Sequence, residues 1–363
     1  MVAVSHEIPM TDFTLGKDKW EPSKRKPEYA HHIKNKSKER WEDIFHLKHS
    51  VVPKVIIPCI SLSVWSAIVC SFYLIGDVQF LRTLLLPNST LLLSLLGTTV
   101  SLLLAFRVNT AYDRFWEGRK LYSTLHLNIR QIGRLIAIYV KPQNQLDQVR
   151  KVAALNLLIG FSSAVKHELR SEFGARYSDL GPYFQQLETV APKVFDKNSH
   201  LKVSLQILRG LQAYVLDISS IMSSCTGAIN TLNECYCSLE RIRFTPVPAA
   251  YTIHLHQALV VYMVGFPFQL VASPLGWFTI PVVAIISFVV LGVENIAQDI
   301  ENPFGFDPND LPQDVYVDTI IEEITEILKR CEDPHTNTRG WIVPYSLDVN
   351  DVDTKKLMLK DRK

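Results

Sequence analysis

The sequence predicts an all-α membrane protein: four transmembrane helices continuous with a helical cytosolic region. Three observations predict it. First, three stretches contain no Asp, Glu, Lys or Arg: residues 55–76, 83–106 and 244–293, of 22, 24 and 50 residues. A bilayer core needs about 20 apolar residues per helix, and runs this long exceed what buried helices of a soluble core require. Second, the basic residues are segregated. Of 38 Lys and Arg, only Arg82 falls in the 77–89 or 273–276 connections. Third, apolar residues elsewhere recur at three- and four-residue spacing, the helical period, and strand-like alternation is scarce.

The elements follow in order. Residues 1–50 form a polar N-terminal cytosolic segment without the early apolar run of a secretory signal. Residues 51–106 hold transmembrane helices at about 53–76 and 90–106. Residues 107–249 are too long for a loop and read as a cytosolic helical region. In it, Leu201, Leu205, Leu208, Leu211, Val215, Ile218 and Met222 form a one-sided stripe, and 121–140 and 153–164 are similar but less regular. Residues 250–298 are long enough for two crossings, about 250–272 and 277–297, with a turn at Ser273-Pro274-Leu275-Gly276. Residues 299–332 read as a loop and a helix carrying Val317, Ile320, Ile321, Ile324, Ile327 and Leu328 on one side. The tail, 333–363, and residues 1–30 are expected to be loosely held.

The charge segregation sets the orientation. Basic residues mark the cytoplasmic side, so both termini and the 107–249 region are expected in the cytoplasm or its topological equivalent; which membrane is not specified. The formal net charge of +2 excludes a nucleic-acid binder driven by bulk charge, and 47 % hydrophobic residues exclude a disordered chain. The six cysteines lack Cys-x-x-Cys spacing and read as free thiols. The sequon Asn88-Ser89-Thr90 abuts the second helix and reads as unused. No phosphate-binding Gly loop, Ser/His/Asp set or zinc spacing supports an enzyme. Glu294 and Glu168 have no partner that sequence alone identifies. His254 and His256, two apart on a helix, point to nearly opposite faces, which argues against a shared metal.

The second membrane helix is the most informative. Leu91, Leu95 and Thr99 share a face at four-residue spacing, beside Ser94, Thr98 and Ser101. Small hydroxylated residues on one face suit close helix packing. The alternative is a pore, in which this face repeats around a symmetry axis and leucine rings make an apolar constriction.

Two runs carry a family resemblance. One is Ala105-Phe106-Arg107-Val108-Asn109-Thr110-Ala111-Tyr112-Asp113-Arg114-Phe115-Trp116-Glu117-Gly118-Arg119. The other is Asp299-Ile300-Glu301-Asn302-Pro303-Phe304-Gly305-Phe306-Asp307-Pro308-Asn309-Asp310-Leu311-Pro312. Both resemble signatures of the bestrophin family, in its microbial, fungal and plant branch, and the resemblance spans roughly residues 40–330. It implies a homopentamer in the lipid bilayer with a central pore for chloride and other small monovalent anions. It places the apolar neck at Leu91, Leu95 and Thr99, with Thr99 where the family usually has Phe, so the neck is expected to be wider or wetter there. It places a second, cytosolic constriction near Ser220. Arg107 and Arg114 lie just below the membrane, where they add positive potential to the pore or else snorkel and pair with Asp113 and Glu117. Animal bestrophins bind calcium after Asn-Pro-Phe-Gly. The matching residues here are Asn302, Asp307 and Asp310, but Phe306, Pro308 and Asn309 replace neighbouring acids, and loop and cap chemistry is the competing reading. The expectation is that no cofactor is required. The alternative function is a membrane-anchored scaffold or regulatory protein without conduction.

Overall fold

The computed structural model describes residues 50–75, 90–174, 177–183, 202–218, 221–273 and 275–332. The tails expected to be loose, and Ser220, lie outside the described residues. Among the described residues there are eight α-helices and no strand. They are α1 (Val52–Leu74), α2 (Thr90–Tyr139), α3 (Gln145–Leu169), α4 (Val203–Leu216), α5 (Met222–Phe244), α6 (Ala249–Val271), α7 (Thr279–Glu301) and α8 (Gln313–Glu332).

Among the described residues, three helices are long and apolar enough to cross a membrane: Val52–Leu74, Leu93–Tyr139 and Gly276–Glu301. α6 is not among them, because His254, His256, Gln257 and Gln269 dilute its aliphatic run. It nevertheless packs against α1, α2 and α7. The Trp65 indole donates to Val264 O at 3.1 Å, and the Tyr251 hydroxyl donates to Leu103 O at 3.0 Å. Small apolar clusters stitch these helices together: Val69, Cys70 and Val271 in one, Val100, Leu259 and Met263 in another. Outside them, α1 exposes Ile56, Ile57, Ile60, Val64, Ile68 and Phe72.

α2 does not stop at the membrane. It runs for 50 residues, about 75 Å at 1.5 Å per residue, and its lower half enters the body. There Tyr122, Leu125, Ile129, Ile132 and Ile136 are buried in one core with α3, α4, α5 and α8. α3 is the central helix. It starts at an Asn144 cap whose side chain accepts from Asp147 N, and nearly every residue from Ala153 to Leu169 is buried. A helix buried all round is the mark of a core element. The stripe expected across 201–222 divides into α4 and α5, with Leu216 the last residue of one and Met222 the first of the other. Leu208, Leu211 and Val215 of α4 are buried in the core, whereas Met222 at the start of α5 is 41 % exposed, so the apolar period belongs to α4.

Buried polar groups tie the body together. Glu168 of α3 accepts from Ser204 N (3.1 Å), Ser204 Oγ (2.6 Å) and Tyr236 Oη (2.5 Å). This carboxylate, unpartnered on sequence grounds, therefore sits at the N-terminus of α4, where the helix dipole favours negative charge, and reaches α5. Lys166 Nζ bridges Asp179 (2.5 Å) and Asp314 (3.1 Å), and Arg170 forks onto Asp314. Asp179 is held well below the usual carboxylate range: burial opposes this, but His167 and Lys166 outweigh it. The six cysteines are free thiols.

Candidate ion pathway

The upper part of α2 presents an unusual face. Leu91 is 69 % and Leu95 59 % exposed, and Thr99 is exposed too. Beside them Ser94, Thr98 and Ser101 are also exposed. The Thr98 and Thr99 hydroxyls donate to Ser94 O and Leu95 O, four residues back, at 2.8 and 2.9 Å. These bonds satisfy the hydroxyl protons while leaving the oxygens on the surface. Leu91, Leu95 and Thr99, the residues expected at the neck, thus lie on one exposed strip. The strip continues downward to Leu102 and Phe106, the latter 57 % exposed. Phe106 lies seven residues after Thr99, nearly two full turns, so it falls under Thr99. Sequence reasoning missed it. The signal was the helical period itself: a three-residue step from Thr99 to Leu102 and a four-residue step to Phe106 keep to the same face.

Neither arginine lies free below the neck. Arg107 is 3 % exposed, with Nη2 at 3.3 Å from Glu294 Oε1 and 3.7 Å from Glu301 Oε2, both on α7. Glu294, unpartnered on sequence grounds, also receives His256 Nε2 at 2.8 Å. His254 is exposed, so the two histidines do part to different surroundings. Arg114 spends its guanidinium on backbone: Ile242 O and Thr245 O at 2.6 Å each, and Glu301 O at 3.0 Å. Two of these carbonyls end α5 and one ends α7, where carbonyls lack intrahelical donors and the dipole favours a cation. The pairing with Asp113 and Glu117 weighed for these arginines is not what the structure has; Glu117 takes Arg241 instead, at 2.7 Å.

The Asn-Pro-Phe-Gly loop explains itself sterically. Phe304 is fully buried beneath α2. A Cβ at Gly118 would stand 3.1 Å from Phe304 Cζ, and a Cβ at Gly305 only 2.7 Å from Asp310 Oδ2. Asp310 Oδ2 accepts from Asp307 N at 2.6 Å, and Asp310 N donates to Asp307 O at 3.1 Å. The two aspartates thus close a turn on each other, and burial pushes the Asp310 carboxyl up to about 6. Among the described residues no group of three or more His, Cys, Asp or Glu is placed to hold a metal ion. Asn302 is exposed, and its Oδ1 accepts from Arg243 at 3.4 Å.

An all-α protein with membrane-length helices, one of which carries an exposed hydroxyl-and-leucine face, is of the channel-forming kind. The chain belongs to the bestrophin family: the model of bacterial and fungal bestrophin proteins matches residues 31–326. It is similar to a voltage-dependent anion channel-forming protein of Nostoc sp., 35 % identical over 305 residues, covering 80 % of this chain and 92 % of the relative. A protein of the same description from Synechocystis sp. is 33 % identical, with 83 % and 95 % covered. Among solved structures, the bacterial bestrophin homologue from Klebsiella pneumoniae superposes with a TM-score of 0.63 at 25 % identity, covering 76 % of this chain and 98 % of that one. A point variant of the Klebsiella homologue gives 0.63 at 26 %, with 75 % and 99 % covered.

Proposed function

We propose that the protein is an anion channel, formed by five copies around an axis lined by α2. The observation that carries this is the contrast between exposed faces. In the membrane bundle α1 exposes Ile56, Ile57, Ile60, Val64, Ile68 and Phe72, and α7 exposes Ile285, Phe288 and Val289, as lipid-facing helices do. Among the described residues of the membrane bundle, only α2 exposes a set of four hydroxyl residues, Ser94, Thr98, Thr99 and Ser101, interleaved with leucines. Such a strip is costly against lipid and suited to a narrow, partly wet lumen. The relatives named as anion channel-forming proteins support the same conclusion.

In this reading α6 is a fourth crossing, since it packs along α1, α2 and α7 and pairs its one buried-side histidine with Glu294. The distribution of Lys and Arg puts the body and both termini on the cytoplasmic side. Leu91, Leu95 and Thr99 form the neck. An apolar neck passes a weakly hydrated anion such as chloride more readily than a strongly hydrated cation, because it offers nothing to replace the water it strips. Conduction needs no bound cofactor: the Asp307–Asp310 turn is closed on itself, and a calcium chelator is expected to leave the current unchanged.

The test is current through planar bilayers holding the purified protein. The reversal potential should follow the chloride gradient, and Leu95→Ala should raise conductance or loosen gating. Native mass spectrometry in detergent should give five chains. A dimer or monomer, or a Leu95→Ala channel identical to the parent, refutes the pore.

A further inference from the structure

The helix behind the proposed neck touches it most closely at one residue. α2 and α6 run antiparallel: Leu93 faces Gly265, Gly97 faces Tyr262, and the Tyr251 hydroxyl donates to Leu103 O at 3.0 Å. Val100 packs with Leu259 and Met263 between them. Gly97 is two residues from both Leu95 and Thr99. Two residues turn a helix by about 200°, so Gly97 looks away from the exposed strip, at a height midway between those two side chains. A Cβ at Gly97 would stand 3.1 Å from both Cε2 and Oη of Tyr262 and 3.3 Å from its Cζ. The rim of the phenol thus rests on the bare backbone of α2. At Gly265 the approach is ordinary: a Cβ there would lie 3.6 Å from Leu93 Cδ1.

α6 is held from behind at this level. Met263, next to Tyr262, is buried, and its Sδ accepts from Ser287 Oγ of α7 at 3.8 Å. Val264 O accepts from the Trp65 indole of α1 at 3.1 Å. The Tyr262 ring is itself tilted on Phe266, with centroids 5.5 Å apart. α2 is less constrained here. Leu95 and Thr99 on its far side are exposed, and its ion pairs to α7 begin only at Arg107. Close-packed helices pass a steric push on rather than absorb it. A push at Gly97 therefore moves α2 toward its open side.

We propose that Tyr262 is a positioning residue for conduction: a spacer that bears on the notch at Gly97 and sets from behind how far Leu95 and Thr99 reach toward the axis. This rests on the reading of α2 as the pore helix. In a ring of five copies the spacer acts on every side of the bore at once. Lengthening it narrows the neck, and shortening it widens the neck. The size of ion that the neck admits is then set by a residue that touches no ion. Close packing of two helices does not by itself require this arrangement. Small residues in general serve that purpose, and Gly265 has room for a methyl group, whereas Gly97 does not.

The test uses the full-length protein in planar bilayers. Single-channel conductance in chloride is measured together with the permeability of acetate relative to chloride, read from the reversal potential with one anion on each side. Gly97→Ala adds a methyl group at the 3.1 Å contacts. Conductance and the acetate ratio should each fall by about twofold or more, because wetting of an apolar constriction is steep in its bore. Tyr262→Leu removes the three ring atoms nearest Gly97 and should raise the acetate ratio by about twofold or more. The double variant, Gly97→Ala with Tyr262→Leu, should return both readings toward the parent. Gly265→Ala, at the ordinary contact between the same helices, should match the parent. The ratio is the deciding reading, since a loss of folded channels lowers total current without shifting a reversal potential. Gly97→Ala with the parent's conductance and ratio, or a double variant no nearer the parent than Gly97→Ala, overturns the proposal. Where Gly97→Ala does not assemble, Tyr262→Leu decides alone, and an acetate ratio no higher than the parent's overturns it. A parent without anion current refutes the pore and the spacer with it, whereas a conducting parent with unresponsive variants refutes the spacer alone.

Discussion

Phe304 is expected to be the most costly single side chain to remove at the junction of bundle and body. Its ring is fully buried, lies with its edge on Gly118 of α2, and is tilted against Tyr122 with centroids 6.5 Å apart. Phe304→Ala removes a buried aromatic where the helices around it are held by other contacts and collapse little. The cost is about 3–5 kcal/mol, or about 10 °C in Tm for a body of this size. Gly118 turns this into a sharper test. A methyl group there meets Phe304 Cζ at 3.1 Å and Leu311 Cδ1 at 3.3 Å, so Gly118→Ala in the parent overpacks the site by about 1–3 kcal/mol. In the Phe304→Ala background the two ring contacts are gone and only the Leu311 contact at 3.3 Å remains, against the gain of about 1 kcal/mol for alanine over glycine inside a helix. The substitution should therefore be clearly less destabilising in that background than in the parent. Thermal unfolding of all four proteins in detergent, followed by near-UV circular dichroism, measures it. Equal effects of Gly118→Ala with and without Phe304 would show that the ring does not rest on α2 as described.

Three further outcomes follow from the same structure. Arg114→Lys is expected to destabilise by about 2 kcal/mol or more, because one ammonium cannot serve three carbonyls held by a planar fork, and a stability equal to the parent's counts against that role. Glu168→Gln presents an amide N–H among three donors and should cost about 1–3 kcal/mol, whereas Tyr236→Phe removes only one of the three; chemical denaturation ranks them, and the reverse order contradicts the bonding described. His126 is buried against Tyr122 and Tyr316, and burial first, then the charge of Arg130, pushes its imidazole down to about 4 from 6.5. The folded state thus resists a proton that the unfolded state accepts, so stability falls as the pH drops from about 6.5 to about 4, by about 3 kcal/mol at most. His126→Phe should flatten that interval in unfolding midpoints, and an unchanged slope assigns the acid sensitivity elsewhere.

What could be read from residues alone was whatever the bilayer or the helical period imposes locally. The charge-free runs located α1, α7 and the top of α2 to within a few residues, since lipid tolerates no other pattern. The absence of Pro and Gly between Phe106 and Glu117 already implied that α2 continues below the membrane. The junction was not legible. Arg114 binds backbone carbonyls, which every residue has and which therefore leave no trace in composition. Glu294 meets Arg107 and His256 from helices far apart in the chain, and no spacing rule connects them. The stripe over 201–222 shows the opposite failure: the period held within α4, but its last member, Met222, opens the next helix and is exposed.

The junction also explains why the exposed strip of α2 keeps a fixed aspect. Arg107, Arg114 and Gly118 make its three ties: to Glu294 and Glu301, to the ends of α5 and α7, and to Phe304. Their spacings of seven and four residues put all three on one side of the helix, with buried Ala111 between them. Leu95, Thr99, Leu102 and Phe106 occupy the other side. Turning α2 about its axis to hide the leucines would break an ion pair, strand three carbonyls and drive Phe304 off the only face where a glycine admits it. Neither an ion pair nor a packed ring deforms gradually. Any gating movement at the proposed neck that leaves the body intact is thus confined to the side chains of the strip or to the stretch of α2 above Arg107.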